Sequence, residues 1–277
     1  MAGADAAGAA PAGGATTLAA RGLRVVRGGK AILRGVNLEA KAGEVVGVLG
    51  PSGAGKSTLF RALVGEPPPD EGTVLLAGED VTRWPLWKRA RAGVGYVPQE
   101  PSVLWDLTVG GNLTAFRRIA GMPAGADDVR AAAARVELED RLDVRAGELS
   151  GGERRRLELA RAVTRPPHVL VCDEPFAGVD PGGAERLAAL LSELARGGAT
   201  VLLADHHVAE ALRVCTRALL LLDGTVAVAA GIDEFPQHPL VQGRYLGTWQ
   251  RSVPPPPLAS ADAPAPPADA SVPSRET

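Results

Sequence analysis

The sequence lacks an excess of charge of either sign. Among its 277 residues, 32 are acidic and 30 are basic, which gives a formal net charge of −2 at pH 7. A broad basic surface of the kind that binds nucleic acid or anionic lipid is therefore not expected. Any partner must be recognised by local features, and we expect no nucleic acid among the partners.

Cysteines and long apolar runs are also scarce. The two cysteines, Cys172 and Cys215, are interpreted as buried reduced thiols. Apolar stretches such as Ala218–Leu222 have the length of a strand and fall far short of the ~20 residues that a membrane-spanning helix needs. The opening residues MAGADAAGAAPAGGATT have neither the basic start nor the apolar core of a signal peptide. We therefore expect a cytoplasmic protein that does not itself span a bilayer.

Short apolar runs recur along the chain and alternate with longer amphipathic stretches. Several runs are too apolar to have a solvated face, which is typical of a mainly parallel sheet covered by helices. The runs that we predict as strands are Glu44–Leu49, Val94–Val97, Val169–Cys172, Thr200–Ala204 and Ala218–Leu222.

A second kind of strand pattern occupies residues 18–42 and 73–78. These regions are predicted to form short strands in an antiparallel β lobe beside the main sheet, because glycines interrupt them where tight turns are needed. The predicted turns lie at Gly28–Gly29, Gly35 and Gly78.

The remaining regions complete the predicted organisation. Between Gln99 and Leu149 the strand signals vanish and Ala, Arg and Glu dominate, which predicts an inserted helical lobe over about residues 99–157. The Ala/Gly-rich residues 1–16 and the Pro/Ala-rich residues 251–277 have almost nothing to bury, and we expect both to be disordered tails. No internal repeat is visible. We predict a single α/β domain over residues 17–250.

A phosphate-binding motif follows the first of the buried strands. The motif G-x-x-x-x-G-K-[ST] is formed by Gly50, Pro51, Ser52, Gly53, Ala54, Gly55, Lys56 and Ser57, and Thr58 begins the helical run that follows. Its glycines let successive backbone N–H groups point at phosphate oxygens, and the helix adds its positive N-terminal end. We expect Lys56 to contact the β and γ phosphates and the Ser57 hydroxyl to bind Mg²⁺.

Two adjacent carboxylates end another buried strand. Asp173 and Glu174 follow the apolar run His168–Cys172, at the edge of the sheet where open α/β folds bind ligands. We predict that Asp173 holds Mg²⁺ and that Glu174 orients and deprotonates the attacking water. An apolar strand that ends in aspartate is alone a weak signal, but the phosphate-binding loop (P-loop) strengthens it.

The segment Leu149-Ser150-Gly151-Gly152-Glu153 resembles the LSGG signature of ABC ATPases, and it precedes a predicted helix ahead of Asp173. Ser150 and the amides of Gly151 and Gly152 form a second anion-binding helix start. In the family these donors face the γ-phosphate held by the other subunit. The resemblance therefore implies a P-loop NTPase fold, hydrolysis of ATP with Mg²⁺, and a homodimer that encloses two ATP molecules.

Other positions match the family motifs one by one. Gln99 resembles the Q-loop glutamine that touches Mg²⁺ and the water, so the resemblance gives Ser57, Gln99 and Asp173 as metal-binding residues. Asp180 resembles the D-loop aspartate at the dimer seam, and His206 resembles the switch histidine at the γ-phosphate. The catalytic set that follows is Glu174, His206 and Gln99.

One position departs from the family. Family members usually place an aromatic ring in the first lobe to stack on adenine, whereas this sequence has Arg27 there. A guanidinium can stack on a base but does not offer an aromatic face. We expect weaker nucleotide binding or looser selection of the base.

Further stretches resemble the ATP-binding subunits of lipopolysaccharide exporters, from about Leu18 to Gly247. Glu153–Arg156 and Phe176–Val179 weigh most, although Arg154–Arg156 could also be simply a solvated basic helix face. The resemblance implies an ATPase on the cytoplasmic face of the inner membrane, with two transmembrane permease subunits as partners. It would power the extraction of lipopolysaccharide for export to the outer membrane.

In this family a short permease helix docks beside the segment that follows the Q-loop glutamine. Leu104 and Trp105 lie in that segment here, and we predict that they contact the permease. The alternative is that both side chains are buried inside the helical lobe itself.

Three other functions share parts of this pattern. Uptake of branched-chain amino acids would use every catalytic residue named above with a different permease. Soluble ABC proteins that clamp nucleic acid generally have a long coiled-coil insertion or two cassettes, and this sequence has neither. A nucleotide sensor without turnover is disfavoured because Glu174 supplies a general base.

Overall fold

The computed structural model describes residues 15–247. The predicted C-terminal tail lies outside this range, and so does the predicted N-terminal tail except for its last two residues. The second of these, Thr16, begins the first strand. The strands are Thr16–Arg27 (β1), Lys30–Lys41 (β2), Val45–Leu49 (β3), Glu71–Leu76 (β4), Glu79–Asp80 (β5), Val94–Val97 (β6), Val169–Asp173 (β7), Thr200–Ala204 (β8), Arg217–Leu222 (β9) and Thr225–Gly231 (β10). The α-helices are Lys56–Val64 (α1), Leu86–Arg91 (α2), Val109–Ile119 (α3), Ala126–Ala134 (α4), Gly151–Ala162 (α5), Pro181–Arg196 (α6), Val208–Val214 (α7) and Pro239–Val241 (α8).

The described strands form two sheets, as the sequence predicts. The main sheet has the order β10-β9-β3-β8-β7-β6, and its strands are parallel except for β10, which pairs antiparallel with β9. The smaller sheet has the order β2-β1-β4-β5 and is antiparallel throughout. The two sheets therefore form the predicted architecture of a mainly parallel sheet with a separate antiparallel β lobe.

The central strands are buried on both faces, because their side chains alternate between two hydrophobic clusters. In β7, Leu170 and Cys172 belong to the cluster that includes α5 and α6, whereas Val169 and Val171 belong to the cluster that includes α1 and the antiparallel lobe. Every residue of β3, β7 and β8 is buried. This two-sided burial explains why the strand sequences have no polar alternation, and it fixes where the strand ends lie.

The helical lobe is built from α3, α4 and the first part of α5. Leu113, Val129 and Leu157 place one apolar face of each helix in a shared core. The predicted end of the lobe at residue 157 falls inside α5, which continues to Ala162 and packs on β6. The signature helix therefore connects the lobe to the main sheet without a break.

Two smaller predictions have different outcomes. Gly28 and Gly29 form the predicted turn between β1 and β2, but Gly35 lies inside β2 with φ 90. The pairing of β1 with β2 skips Gly35, so the residue forms a β-bulge and the predicted turn there is wrong. Cys172 and Cys215 are buried and free, as expected. No helix within residues 15–247 is long and apolar enough to cross a membrane.

Candidate functional site

The P-loop joins the end of β3 to the start of α1. Gly50 has φ 153, and a Cβ there would lie 2.2 Å from the Leu221 carbonyl oxygen, so only glycine fits. Gly55 immediately precedes α1 with φ 106, and no side chain caps the helix at this position. The first turn of α1 also has no acidic residue. Its backbone N–H groups are therefore available to an anion at the positive end of the helix.

Lys56 is folded back onto its own loop. Its Nζ donates hydrogen bonds to the carbonyl oxygens of Gly50, at 2.7 Å, and Pro51, at 3.1 Å. Burial lowers the pKa of Lys56, and the neighbouring carboxylates of Glu174 and Asp173 oppose that shift. These carbonyl contacts occupy the ammonium group that a triphosphate would otherwise bind.

The other two predicted catalytic residues, Gln99 and His206, both contact Glu174. Its Oε1 accepts a hydrogen bond of 2.8 Å from Gln99 Nε2 and lies 2.5 Å from His206 Nε2. The residue has φ 55, a conformation that non-glycine residues rarely adopt, and its N–H donates to the Ala204 carbonyl at 2.7 Å. The ends of β6, β7 and β8 thus bring Gln99, Glu174 and His206 together around one carboxylate.

Asp173, Ser57 and Gln99 form a set of oxygen groups that fits Mg²⁺. The Ser57 hydroxyl donates a hydrogen bond of 3.4 Å to Gln99 Oε1, and it is near enough to Asp173 to oppose the rise in the pKa of that carboxyl. Asp173 Oδ1 is buried without a hydrogen-bond partner, and burial raises the pKa of Asp173. Within residues 15–247 no cluster of three His, Cys, Asp or Glu side chains could hold a metal alone. Such a sparse oxygen set is the kind that binds Mg²⁺ together with phosphates and water.

The signature residues form a second group, apart from the P-loop. Ser150 caps α5 by accepting from Glu153 N–H, and the Glu153 carboxylate accepts from Ser150 N–H at 2.8 Å, which is a capping box. A Cβ on Gly151 or Gly152 would lie 3.6 or 3.4 Å from the Gly178 carbonyl oxygen. The signature therefore lies against the segment that follows Glu174.

Asp180 belongs to this second group. It caps α6 by accepting from Gly183 N–H at 2.9 Å, and this hydrogen bond is the main cause that lowers the pKa of Asp180. Among the described residues no hydrogen bond joins Ser150, Gly151, Gly152 or Asp180 to the P-loop. The predicted nucleotide-binding residues of one chain thus form two half-sites.

Asp205 is a site residue that the sequence analysis missed. Its side chain is fully buried, and its two oxygens accept from Phe176 N–H and His207 N–H, each at 2.8 Å. His207, which was given no role from the sequence, also places Nδ1 2.8 Å from this carboxylate. Asp205 ties the loop after Glu174 to the loop that carries His206. Its position directly after an apolar strand was the available signal.

Arg155 also lies next to the site. The alternative prediction that Arg154–Arg156 form a solvated basic helix face is wrong for Arg155. Only 6% of Arg155 is exposed. Its guanidinium donates to the Pro98 carbonyl at 2.6 Å, to Glu158 Oε2 at 2.8 Å, and to the Asp173 carbonyl. The spacing of Arg155 and Glu158 on one helix face was the signal that could have found the pair.

The same helix also holds the far end of the segment that carries Gln99. Glu158 Oε1 accepts from Ser102 N–H, and Arg161 donates to the Ser102 carbonyl at 2.8 Å. Because Arg155 bonds Pro98 and Glu158 bonds Ser102, helix α5 fixes the backbone on both sides of Gln99. Helix α5 therefore contacts both the segment that carries Gln99 and the backbone of Asp173.

Arg27 lies at the edge of the antiparallel lobe. Its guanidinium donates to the Val26 carbonyl at 2.7 Å and lies 3.5 Å from Asp70 Oδ2. A small cavity of about 140 Å³ beside it is also lined by Thr58 and Arg61. The Arg27 guanidinium is therefore paired with the Asp70 carboxylate, and this pairing competes with stacking on an adenine base.

A groove of about 1300 Å³ runs from the site along the helical lobe. Its lining includes Gln99 and Asp173 together with residues of β6, α2 and α3. Trp87 and Ile119 line it and are 61% and 80% exposed. This groove therefore has large solvent-exposed apolar side chains in the same lining as Gln99 and Asp173.

Leu104 and Trp105 have a different place from the groove. They are 40% and 47% exposed, so the alternative of burial inside the helical lobe is wrong. Neither residue lines the groove, and the Arg154 guanidinium lies 5.4 Å from the Trp105 ring centre. The large apolar side chains that line the groove and are exposed are those of Trp87 and Ile119, which the sequence analysis did not single out.

Comparison with known sequences gives a consistent result. The profile of the family described as "ABC transporter" matches residues 33–177. The lipopolysaccharide export system ATP-binding protein LptB of Acidithiobacillus ferridurans is 40% identical over 79% of this chain and 91% of its own length. LptB of Escherichia coli K12 is 39% identical over 83% of this chain and 97% of its own. A probable ABC transporter ATP-binding protein of Azorhizobium caulinodans is 39% identical over 86% and 85%.

Solved structures with the same architecture come from the same group of proteins. A nucleotide-free ATP-binding cassette of an ABC transporter is 28% identical, with a TM-score of 0.75 over 84% of this chain and 99% of its own. A cassette in its ADP conformation is 27% identical, with a TM-score of 0.74 over the same shares. A dimeric cassette in a post-hydrolysis state, bound to ADP and phosphate, is 26% identical, with a TM-score of 0.71 over 78% and 98%.

Proposed function

Because the chain belongs to the ABC transporter family of ATP-binding proteins, we propose that it is the subunit that powers extraction of lipopolysaccharide from the inner membrane for export to the outer membrane. Its general activity follows from family membership: it binds nucleotide and is an ATP-hydrolysing transporter ATPase. The cargo is the finer part of the proposal. The observation that carries it is the 39–40% identity to LptB over almost the whole length of those relatives.

The proposed catalytic roles rest on the convergence at Glu174. We assign Glu174 as the base that takes a proton from the attacking water, because Gln99 and His206 both hold the same carboxylate oxygen. Lys56 and the backbone N–H groups of Gly50 and Ser52–Ser57 bind the β and γ phosphates, and Thr58 lies beside them at the start of α1. Ser57, Gln99 and Asp173 would hold Mg²⁺, which would neutralise phosphate charge when bound.

The proposed active form is a homodimer of two chains. One chain carries two half-sites: the P-loop with the carboxylates, and Ser150, Gly151, Gly152 with Asp180. A second copy in the opposite orientation brings its signature helix start to the first copy's phosphates, where the N-terminus of α5 favours negative charge. The dimeric relative bound to ADP and phosphate supports this arrangement. Two ATP molecules would then lie between two chains.

The proposed partners are two transmembrane permease subunits, with the dimer on the cytoplasmic face of the inner membrane. The groove beside Gln99 is the surface where we expect one helix from each permease subunit to dock. Its exposed Trp87 and Ile119 support a protein contact, because large apolar side chains in a concave surface are typical of interfaces. Movement of such a helix would reach Gln99, which hydrogen-bonds Glu174.

Depletion of the protein in its own organism tests the cargo. Loss of the chain, or its replacement by the Glu174→Gln variant, should make newly made lipopolysaccharide accumulate in the inner membrane. Leucine uptake, measured with a radiolabel in the same cells, should stay normal. Normal lipopolysaccharide export with lost uptake of leucine would instead support the branched-chain amino acid transporter, which some relatives without a stated cargo leave open.

A further inference from the structure

One arginine of helix α2 is completely buried. Arg89 has no exposed surface, whereas Trp87 and Arg91 on the same helix are exposed and line the groove beside Gln99. Burial lowers the pKa of Arg89 to about 10, so the guanidinium still carries its charge at neutral pH. A buried charge is costly unless its hydrogen bonds are satisfied. The partners of Arg89 therefore show what this charge holds together.

The guanidinium of Arg89 binds backbone carbonyl groups from two segments of the chain. Its Nη1 donates to the carbonyl oxygens of Ala62, at 3.1 Å, and Leu63, at 2.5 Å, in the last turn of α1. Its Nε donates to the Trp84 carbonyl at 3.0 Å, and its Nη2 donates to the Thr82 carbonyl at 2.9 Å. Four of the five N–H groups of the guanidinium are thus used.

The end of α1 is shaped to receive this side chain. Carbonyl groups in the last turn of a helix lack partners further along the helix and carry a negative partial charge, which a cation stabilises. The helix ends at Gly65, which has φ 81. A Cβ at this position would lie 2.9 Å from Arg89 Nε and 2.4 Å from the Trp84 carbonyl oxygen. Any other residue at position 65 would therefore displace either the guanidinium or the segment before α2.

Helix α1 thus has the P-loop at one end and Arg89 at the other. Its first residue is Lys56, and its last turn contains the two carbonyls that Arg89 contacts. The helix has only nine residues, and hydrogen bonds join each turn to the next, so it moves as one body. A shift of the P-loop on phosphate binding would move the far end of α1. Through Arg89 it would also move the helix that carries Trp87.

We propose that Arg89 is a positioning residue that couples the P-loop to the groove, because it fastens α2 to the end of α1. The inference rests on the proposed role of the P-loop in binding phosphate, and it adds a connection that does not pass through Gln99. Nucleotide then changes α2, and a partner bound to α2 changes nucleotide affinity by the same factor. Lysine would supply the charge without the planar fork that reaches four carbonyls.

Hydrogen–deuterium exchange of the full chain, with and without ADP and Mg²⁺, tests the coupling. In the wild type, ADP should slow exchange in the P-loop and α1, and it should also slow exchange in α2 by about 5-fold or more. Arg89→Lys should keep the first response and reduce the second to less than about 2-fold, because the fork is lost. Lys88→Ala is the matched control, since Lys88 is an exposed neighbour on the same helix, and both responses should remain.

Three results would overturn the inference, and they are distinguishable. Protection of the P-loop and α1 without a response of α2 in the wild type would show that the two helices are not coupled, and this measurement requires no variant to fold. A full α2 response in Arg89→Lys, with only a lower melting temperature, would show that Arg89 is merely structural. If ADP protects neither the P-loop nor α1, the assignment of the P-loop itself is wrong, and the coupling fails with it.

Discussion

His206 Nε2 lies 2.5 Å from Glu174 Oε1, and the same oxygen accepts a hydrogen bond from Gln99. The carboxylate assigned as the general base is therefore oriented by two side chains from different loops. Asp205 fixes the backbone of both the Glu174 loop and the loop of His206. The orientation of the base depends on contacts that cross three strand ends.

The first prediction concerns the base itself. Glu174→Gln should keep ATP binding but lower turnover by about 10²- to 10⁴-fold, because an amide keeps the shape and cannot accept the proton. An ATP-bound dimer should accumulate, which size-exclusion chromatography with light scattering would detect. Hydrolysis at a near wild-type rate would show that Glu174 is not the base.

The second prediction separates binding from chemistry. Lys56→Ala should weaken ATP binding by about 2 kcal/mol, or roughly 30-fold, because the phosphates lose a charged hydrogen-bond donor. Filter binding of labelled ATP measures the loss. The Glu174→Gln variant serves as the control that binds but does not turn over. Equal affinity of the two variants would contradict the assigned role of Lys56.

The main strands, the P-loop and the carboxylates at the end of β7 were predictable because their sequence patterns are local: continuous apolar runs and glycines at fixed spacing. Strands β3, β7 and β8 are buried on both sides and are continuously apolar, so Asp173 and Glu174 could be placed at a strand end from sequence. The P-loop needs glycines at fixed spacing, which is equally visible.

The missed features depend on contacts between distant parts of the chain. Three successive arginines give no direct sign that Arg155 alone is buried, since its partners Pro98 and Asp173 come from other elements. Gly35 was misplaced because a bulge and a turn both require a glycine at positive φ.

The third prediction addresses adenine recognition. Arg27→Tyr should tighten ATP binding by about 0.5–1.5 kcal/mol if the side chain faces the base, because a ring stacks where a guanidinium now pairs with Asp70. The exposed ion pair that is lost contributes little to stability. Arg27→Leu controls for removal of the charge alone. Unchanged affinity of Arg27→Tyr by calorimetry would place the adenine contact elsewhere.

The fourth prediction concerns the buried charges of α5. Arg155→Ala should lower the free energy of unfolding by about 3–5 kcal/mol, because it leaves the carboxylate of Glu158 buried without its partner. Arg156→Ala is the matched control, since its partner Glu137 is half exposed and the pair should contribute about 1 kcal/mol or less. Chemical denaturation measures both. Similar losses for the two variants would mean that burial of Arg155 has no special weight.

The last prediction compares two exposed tryptophans as permease contacts. Trp87 lines the groove beside Gln99, whereas Trp105 is exposed outside it under Arg154. Trp87→Ala should weaken association with the permease by about 2 kcal/mol or more, as loss of an aromatic anchor in a concave site does. Trp105→Ala should cost less, since this side chain does not line the groove.

Both changes remove a solvent-exposed ring, so basal ATPase activity and the melting temperature of the free chain should stay unchanged. Co-purification of the tagged variants with the permease from native membranes, titrated with wild-type chain as competitor, gives the relative affinities. Ile119→Ala tests the opposite wall of the groove and should resemble Trp87→Ala, because it is 80% exposed in the same surface. A large loss for Trp105→Ala with none for Trp87→Ala or Ile119→Ala would move the docking surface from the groove to the segment around Leu104 and Trp105. The sequence-based prediction would then be the better one, and coupling to Gln99 would have to run through residues 100–105 of the chain.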